Sequence, residues 1–135
     1  MQDNPLVSIV TISFNQEKFV EETIKSVLNQ NYKNIEYIII DAGSTDNSRE
    51  KILKYKNDIN RIIFEKDDGP ADGLNKGFKI AKGDIFCFLN SDDLLLENSL
   101  TKVVNFFKNN KNADVVYGNS WIINERGKRI RNFYS

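Results

Sequence analysis

The stretch that decides the fold is IEYIIIDAGSTD, residues 35–46. Its first half, 35–40, is a continuous apolar run, which is typical of a strand covered on both faces, as in a parallel sheet. The second half breaks that run with small and acidic residues. We expect Ser44 or Thr45 to cap a helix that continues to about Lys56. The stretch therefore predicts one strand–loop–helix unit.

The same unit recurs along the chain on both sides of this stretch. The run Ile85–Leu89 is again continuously apolar, so we expect both of its faces to be buried. Strands that alternate with helices predict an α/β fold, with a mostly parallel, Rossmann-like sheet flanked by helices. The other predicted elements are strands over Leu6–Ile12, Arg61–Glu65 and Val115–Tyr117, helices over about Glu17–Asn29, Pro70–Gly83 and Asn98–Lys108, and a hairpin over Ser120–Phe133 that turns at 124–127.

The composition narrows the classes of function. The 135 residues include 19 basic and 19 acidic side chains, so a broad electropositive face for nucleic acid is not expected. The sequence has no histidine, which excludes a Ser-His-Asp triad and a His-ligated zinc site. A metal ion would have to be held by carboxylates, which favours Mg²⁺ or Mn²⁺. Neither the dinucleotide-binding nor the P-loop glycine pattern is present.

Three loops that directly follow predicted strands carry the candidate binding chemistry, at 13–15, 41–46 and 90–93. Ligands bind at the carboxyl ends of parallel strands, so we expect these loops to share one site. The adjacent carboxylates of Asp92 and Asp93 repel each other unless a cation lies beside them, and a divalent ion that bridges to a phosphate would supply the charge. The alternative is a solvated acidic turn. Together the loops favour a nucleotide diphosphate with its metal.

The other candidate side chains have structural alternatives of similar weight. Asp41 could accept a hydrogen bond from a base or ribose, or it could belong to a simple turn before a helix. Phe14 could stack on a base or pack in the core. Asp67, Asp68 and Asp72 surround a predicted helix N-terminus, where carboxylates are stabilised by the helix dipole in any case.

A set of sequence blocks carries a family resemblance through its order and spacing. The set resembles family 2 glycosyltransferases with the GT-A fold, and the similarity extends from Leu6 to about Tyr117. Each block is weak alone, but the ordered set is specific. The blocks are VSIVTISFN at 7–15, SVLNQ at 26–30, the segment 36–46, DGLNKG at 72–77, AKGD at 81–84 and LNSDD at 89–93.

The resemblance implies transfer of a sugar from a nucleotide-diphosphate donor, with a UDP-sugar as the leading candidate, to an acceptor hydroxyl. It implies inversion at the anomeric carbon, a carboxylate base and a requirement for Mn²⁺ or Mg²⁺. A DxD-type motif would correspond to 92–93. The implied donor-binding residues are Ile12, Ser13, Phe14, Asp41, Asp72, Asn75 and Asp92, and the implied metal ligands are Asp93 and Asp92.

Two departures from the family pattern qualify this interpretation. Ala42 stands where the family usually has a second acid that reads the base, which leaves the donor base open, and we expect Asp72 to take over part of that contact. Family members also continue well beyond this length, and no acid after Asp93 matches the family's base motif. We therefore expect residues 1–135 to be the nucleotide-sugar-binding portion of a GT-A domain, with an incomplete sheet at the C-terminus and without the acceptor half.

Two other classes of protein remain as alternatives. One is a nucleotide-binding module without catalysis. The other is a flavodoxin-like signalling receiver, whose acidic pair would follow the first strand, where Asn15 stands here.

By resemblance alone we expect a glycan, glycolipid or protein acceptor and a cytoplasmic location, at the inner face of the cell membrane. The basic tail is either a solvated hairpin, a peripheral contact for anionic lipid or a surface for homodimerisation. Its cationic residues are Arg126, Lys128, Arg129 and Arg131.

Overall fold

The computed structural model describes residues 3–134, and the chain divides into a larger unit (1–104) and a smaller one (105–135). The longest helices have 11 residues, and no helix within 3–134 is long and apolar enough to cross a membrane. Strands and helices alternate through the larger unit as predicted. They are β1 (Val7–Ser13), α1 (Val20–Leu28), β2 (Ile35–Asp41), α2 (Ser48–Leu53), β3 (Arg61–Phe64), α3 (Pro70–Ile80), β4 (Ile85–Asn90) and α4 (Ser99–Asn109).

The first four strands form one parallel sheet in the order β3-β2-β1-β4. The chain first builds outward from β1 to β3 and then returns to the other side of β1 to place β4. Such a reversal of strand order opens a crevice at the carboxyl ends of the strands on either side of it. The topology confirms the predicted α/β fold and directs attention to the loops after β1 and β4.

The core lies where α3 packs on the two central strands. Leu74, Phe78 and Ala81 pack against a buried cluster of Val10, Ile38 and Ile40. Gly77 makes the close approach possible, because a Cβ atom there would lie 2.3 Å from Val10 Cγ1. A larger side chain at this position would push the helix away from the sheet.

Strand β4 differs from the prediction that both of its faces are buried. Ile85 and Leu89 are buried, but Phe86 and Phe88 are 53% and 56% exposed. The reason is that β4 is an edge strand of the sheet formed by the described residues. The ring of Phe86 meets that of Phe78 edge-on, with 5.8 Å between centroids. An apolar run does not reveal whether a strand will be central or at an edge.

Helix α2 also begins differently from the prediction. Neither Ser44 nor Thr45 caps it, since the helix starts at Ser48 after Asn47, without a side-chain cap. The Ser44 hydroxyl instead donates to a carboxylate oxygen of Asp41. Its oxygen accepts a hydrogen bond from the Asn15 N–H, 29 residues earlier in the chain, so the oxygen that was expected to cap the helix is already engaged.

In the smaller unit, the strand predicted at Val115–Tyr117 is wrong. No β-ladder joins these residues to any strand within 3–134, and both Val115 and Tyr117 are more than three-quarters exposed. An extended apolar segment becomes a strand only when another strand satisfies its backbone groups. The predicted hairpin is confirmed, with β5 (Ser120–Ile123) antiparallel to β6 (Arg129–Phe133) and a turn between them.

Candidate functional site

A cavity of 760 Å³ opens at the carboxyl ends of the parallel strands. Its lining comes from four segments, one at or just after the end of each of β1 to β4. The lining residues are Ile12, Ser13, Phe14, Gln16, Ala42, Gly43, Thr45, Lys66, Asp67, Gly69, Pro70, Asn90, Ser91 and Asp92. Cavities that hold small ligands commonly measure about 300–1,000 Å³. The volume and the position both fit a ligand the size of a nucleotide.

The structure brings together half of the eight residues predicted for the site. Ile12, Ser13, Phe14 and Asp92 line the cavity, whereas Asp41, Asp72, Asn75 and Asp93 do not. Phe14 is 56% exposed, which leaves its ring face free for a ligand. The Ser13 hydroxyl is buried and has no hydrogen-bond partner among the described residues.

Asp41 lies behind the cavity wall, fully buried. One of its oxygens accepts hydrogen bonds from the backbone N–H groups of Gly43 (3.2 Å) and Ser44 (2.9 Å) and pairs with Arg49 Nε at 2.9 Å. The other accepts from the Ser44 hydroxyl at 2.5 Å. Both oxygens are therefore engaged inside the loop that follows β2. In this arrangement Asp41 shapes the wall formed by its neighbours.

Hydrogen bonds join the loop after β1 (14–17) to the loop after β2 (42–48), and we call these two loops the β1–β2 wall. Asn15 has a left-handed backbone (φ 53°), a conformation that asparagine tolerates better than most residues. The bonds between the loops include Asn15 N–H to Ser44 Oγ (2.9 Å), Thr45 N–H to Asn15 Oδ1 (2.9 Å), Gln16 N–H to Ser48 Oγ (2.8 Å), Glu17 N–H to Asp46 Oδ2 (3.0 Å) and Asn47 N–H to Glu17 Oε2 (3.0 Å).

The carboxyl group of Asp46 takes part in this connection. Its other oxygen accepts a hydrogen bond from the Ser48 N–H at 2.9 Å. Burial opposes ionisation, but hydrogen bonds from Ser48 and Glu17 outweigh it, so the pKa of Asp46 is lowered. The ionised form of Asp46 is therefore the form that this wall stabilises.

The opposite side of the cavity is formed by the loops after β3 (66–70) and after β4 (90–93), which we call the β3–β4 wall. Asp92 and Asp93 are exposed, and Asp93 Oδ2 accepts a hydrogen bond from the Asn90 amide at 3.1 Å. Within 3–134, neither carboxylate forms an ion pair, and the ammonium group of Lys66 in the cavity lining has no ion-pair partner either. This wall presents charges that a ligand could neutralise.

Asp72 and Asn75 lie on α3, outside the cavity lining. The Asp72 carboxylate accepts a hydrogen bond from the Asp68 N–H (3.2 Å) and pairs with Lys76 at 3.2 Å. These two contacts lower the pKa of Asp72. Asn75 is exposed on the same helix. Asp72 is therefore outside the cavity lining, where its expected contact with the base would have to be made.

The carboxylates in the β3–β4 wall define what kind of metal ion would fit. No group of three or more Asp, Glu or Cys side chains within 3–134 is arranged to hold an ion. Mg²⁺ and similar ions in nucleotide sites are usually held by one or two carboxylates together with phosphate oxygens and water. Asp92 and Asp93 fit an ion of that kind, one that binds together with a diphosphate.

Sequence reasoning overlooked the contribution of the loop after β3. Lys66 and Asp67 both line the cavity, yet Asp67 was considered only as a carboxylate near a helix N-terminus. Lys66 and Asp67 could have been identified by the rule applied to the other loops, that ligands bind at the carboxyl ends of parallel strands. Both residues follow such a strand closely.

The chain matches the model of Glycosyl transferase family 2 over residues 8–134, and it belongs to that family. The fold agrees with the GT-A fold expected from the sequence. The chain spans about half or less of the length of the curated relatives it matches.

One relative and two solved structures illustrate the similarity. The chain is 37% identical over 123 residues to UDP-Glc:alpha-D-GlcNAc-diphosphoundecaprenol beta-1,3-glucosyltransferase WfgD of Escherichia coli, covering 90% of this chain and 48% of that protein. It is similar to S. aureus TarS 1-349 in complex with UDP-GlcNAc, with a TM-score of 0.71, 26% identity and coverage of 77% and 31%. Its fold also resembles that of a Pyrobaculum calidifontis mannosyltransferase in complex with GDP-Man and Mn²⁺ (TM-score 0.72, 23% identity, coverage of 91% and 37%).

Proposed function

We propose that this chain is the donor-binding portion of a glycosyltransferase. Its donor would be a nucleotide-diphosphate sugar, with a UDP-sugar as the leading candidate. The sugar would be transferred with inversion to an acceptor hydroxyl. The observation that carries the proposal is the cavity at the reversal point of the sheet, whose lining includes the exposed carboxylate of Asp92, without an ion-pair partner within 3–134. Membership of the family supplies the reaction class.

Residues at the end of β1 would hold the nucleoside. Phe14 offers an exposed aromatic ring on which a base could stack, and Ile12 adds apolar surface beside it. The buried Ser13 hydroxyl lacks a partner among the described residues, a situation that costs about 1–3 kcal/mol. A hydrogen bond formed when a ligand or a water molecule binds would remove that cost.

Asp92 and Asp93 would hold Mn²⁺ or Mg²⁺, with Asp92 directed toward the ribose and Asp93 toward the diphosphate. A divalent ion bound there would stabilise the negative charge on the departing nucleotide diphosphate. In the transfer step, the acceptor oxygen forms a bond to the anomeric carbon while the bond from that carbon to the phosphate oxygen breaks. The hydroxyl proton passes to a carboxylate base, and we assign that role to no residue of this chain.

The acceptor would be a glycan, glycolipid or protein, and the site of action the cytoplasmic face of the cell membrane. Support for a lipid-linked acceptor comes from the name of the E. coli relative, which specifies a diphosphoundecaprenol substrate. The β5–β6 hairpin and its turn expose four cationic side chains that suit peripheral contact with anionic lipid. The four residues are Arg126, Lys128, Arg129 and Arg131.

Calorimetric titration with UDP, GDP and CDP, in Mn²⁺ and in EDTA, tests the donor site. We expect UDP to bind at least about tenfold more tightly in Mn²⁺, and we expect Asp92→Asn and Asp93→Asn to remove most of that difference. Asp68→Asn is the matched control, because Asp68 is an exposed acid outside the cavity lining. A folded protein that binds none of the three diphosphates would contradict the proposal.

A transfer assay separates an enzyme from a binding module. The chain is incubated with Mn²⁺, UDP-sugar labelled in the sugar and candidate acceptors, and release or transfer of the label is followed. Transfer that is lost in Asp93→Asn supports the glycosyltransferase. Because no base is assigned to this chain, slow release of the sugar to water is the expected signal, and binding of intact UDP-sugar with neither release nor transfer would favour the non-catalytic nucleotide-binding module.

A further inference from the structure

The structure changes which acid is available to recognise the base of the donor. Ala42 lies in the cavity lining but has only a methyl side chain. Asp41, next to it, is fully buried with both oxygens engaged by its own loop. Asp72 lies outside the lining and is paired with Lys76. The acids that line the cavity are instead Asp67 and Asp92.

Asp67 is half-buried and held in place from one side. Its Oδ1 accepts a hydrogen bond from the Gly69 N–H at 3.0 Å, whereas its Oδ2 has no hydrogen-bond or ion-pair partner within residues 3–134. A Cβ atom at Gly73 would lie 2.7 Å from Asp67 Oδ2 and 3.2 Å from Ile12 Cγ2. The absence of a side chain at Gly73 thus leaves the space in which this carboxylate oxygen sits, beside the end of β1.

The loop that carries Asp67 contacts the loop that carries Ala42. The preceding residue, Lys66, packs against the loop after β2, since its Cγ lies 3.2 Å from the point that a Cβ at Gly43 would occupy. The two acids in the lining come from loops that follow opposite edge strands, β3 and β4. The proposed function directs Asp92 toward the ribose and Asp93 toward the diphosphate, which leaves Asp67 for the base.

We propose that Asp67 is a specificity-determining residue whose Oδ2 accepts a hydrogen bond from a ring N–H of the donor base. This inference rests on the proposed function. Uracil at N3 and guanine at N1 carry such a hydrogen. Cytosine at N3 and adenine at N1 have a lone pair there, which the carboxylate repels. The donor class is therefore a uridine or guanosine diphosphate sugar.

The test compares each nucleotide with an analogue that lacks only the ring hydrogen. Calorimetry in Mn²⁺ first ranks UDP, GDP, CDP and ADP, and the tighter of UDP and GDP is then compared with 3-methyl-UDP or 1-methyl-GDP. A hydrogen bond to a charged acceptor predicts that methylation weakens binding to the unaltered chain at least about tenfold. In Asp67→Ala we expect the parent nucleotide to bind at least about tenfold more weakly and methylation to have almost no further effect.

Two variants keep the comparison informative. Asp68→Ala is the matched control, an exposed acid next in sequence, and we expect it to discriminate against the methylated ligand as the unaltered chain does. If Asp67→Ala fails to fold, Asp67→Asn keeps an acceptor for the Gly69 N–H and should show a reduced methylation effect.

The possible failures are distinguishable. If the unaltered chain binds no nucleoside diphosphate, the proposed function fails together with this inference. If it binds UDP or GDP but methylation weakens binding equally in Asp67→Ala, the inference is overturned and the proposed function stands. Binding of CDP as tight as that of UDP and GDP would also overturn it.

Discussion

The two walls of the cavity use polar residues in opposite ways. In the β1–β2 wall, the side-chain oxygens of Ser44 and Asp46 form hydrogen bonds with the protein itself, and so do those of Asp41 behind the wall. In the β3–β4 wall, Lys66 and Asp92 have no ion-pair partner within 3–134. It follows that the β1–β2 wall contributes mainly to stability and shape, whereas the β3–β4 wall is available to a ligand. Substitutions in the two walls should therefore affect different measurements.

The largest expected effect is that of Asp41→Ala. The substitution leaves two backbone N–H groups and a buried hydroxyl without their acceptor and removes the partner of Arg49, so we expect the free energy of unfolding to fall by about 3 kcal/mol. Urea denaturation followed by circular dichroism measures the change. Asp92→Ala is the control from the other wall and should change stability by no more than about 0.5 kcal/mol. Equal losses in the two variants would erase the distinction between the walls.

A smaller loss is expected for Ser44→Ala. The hydroxyl accepts from the Asn15 N–H and donates to Asp41, so its removal should lower the free energy of unfolding by about 1.5 kcal/mol. The neighbouring substitution Thr45→Ala is a close control, because Thr45 is exposed and its hydroxyl contact is long, at 3.4 Å. Thermal denaturation of both variants provides the measurement. A Thr45→Ala loss as large as that of Ser44→Ala would count against a connected wall.

The pH dependence of stability reports on Asp46. Its pKa in the folded protein is below its usual 3.8, so its contribution is fully present above that value and is lost as the pH falls through the folded-state pKa. We expect the stability difference between the unaltered chain and Asp46→Asn to be larger at neutral pH than in acid, and to remain a fraction of the Asp41→Ala loss. Urea denaturation at a series of pH values provides the data. Parallel pH curves for the two proteins would contradict the prediction.

The smallest effect is expected for Lys66→Ala. The exposed ammonium group lines the cavity and would attract a diphosphate weakly, so UDP affinity should fall about two- to threefold at low salt and less at high salt. Lys79→Ala is the control, an exposed lysine of α3 outside the lining. Calorimetry at two salt concentrations checks both variants. A loss that is the same at both concentrations would argue against an electrostatic role.

Much of the fold was predictable because its signals are local. The strands β1 to β4 lie within one or two residues of the predicted positions, and Pro70 begins α3 as expected. The loops after β1, β2 and β4 were also identified correctly as neighbours, since all three contribute to the cavity lining. That identification required only the rule that parallel strands end at the same edge of the sheet.

The errors share one physical cause, which is that they depend on partners distant in sequence. The exposure of Phe86 and Phe88 depends on what lies beside β4, and an apolar run does not indicate which elements will be its neighbours. The strand predicted at Val115–Tyr117 has the right composition but no pairing strand among the described residues. Ser44 has the side-chain type of a helix cap, but its oxygen accepts from the Asn15 N–H of the loop after β1 instead.

The amino-acid sequence by itself determined the alternation of strands and helices, the parallel sheet and the family, because hydrophobic periodicity and ordered motifs are properties of the chain. Only the packed structure distinguishes the positions of the other acids around the cavity. Asp41, Asp67 and Asp72 are the same type of residue. Yet Asp41 is buried behind the wall, Asp67 lines the cavity and Asp72 pairs with Lys76 on the surface of α3. Hydrogen-bond partners and free space, such as that left at Gly73, arise only when separate segments pack together.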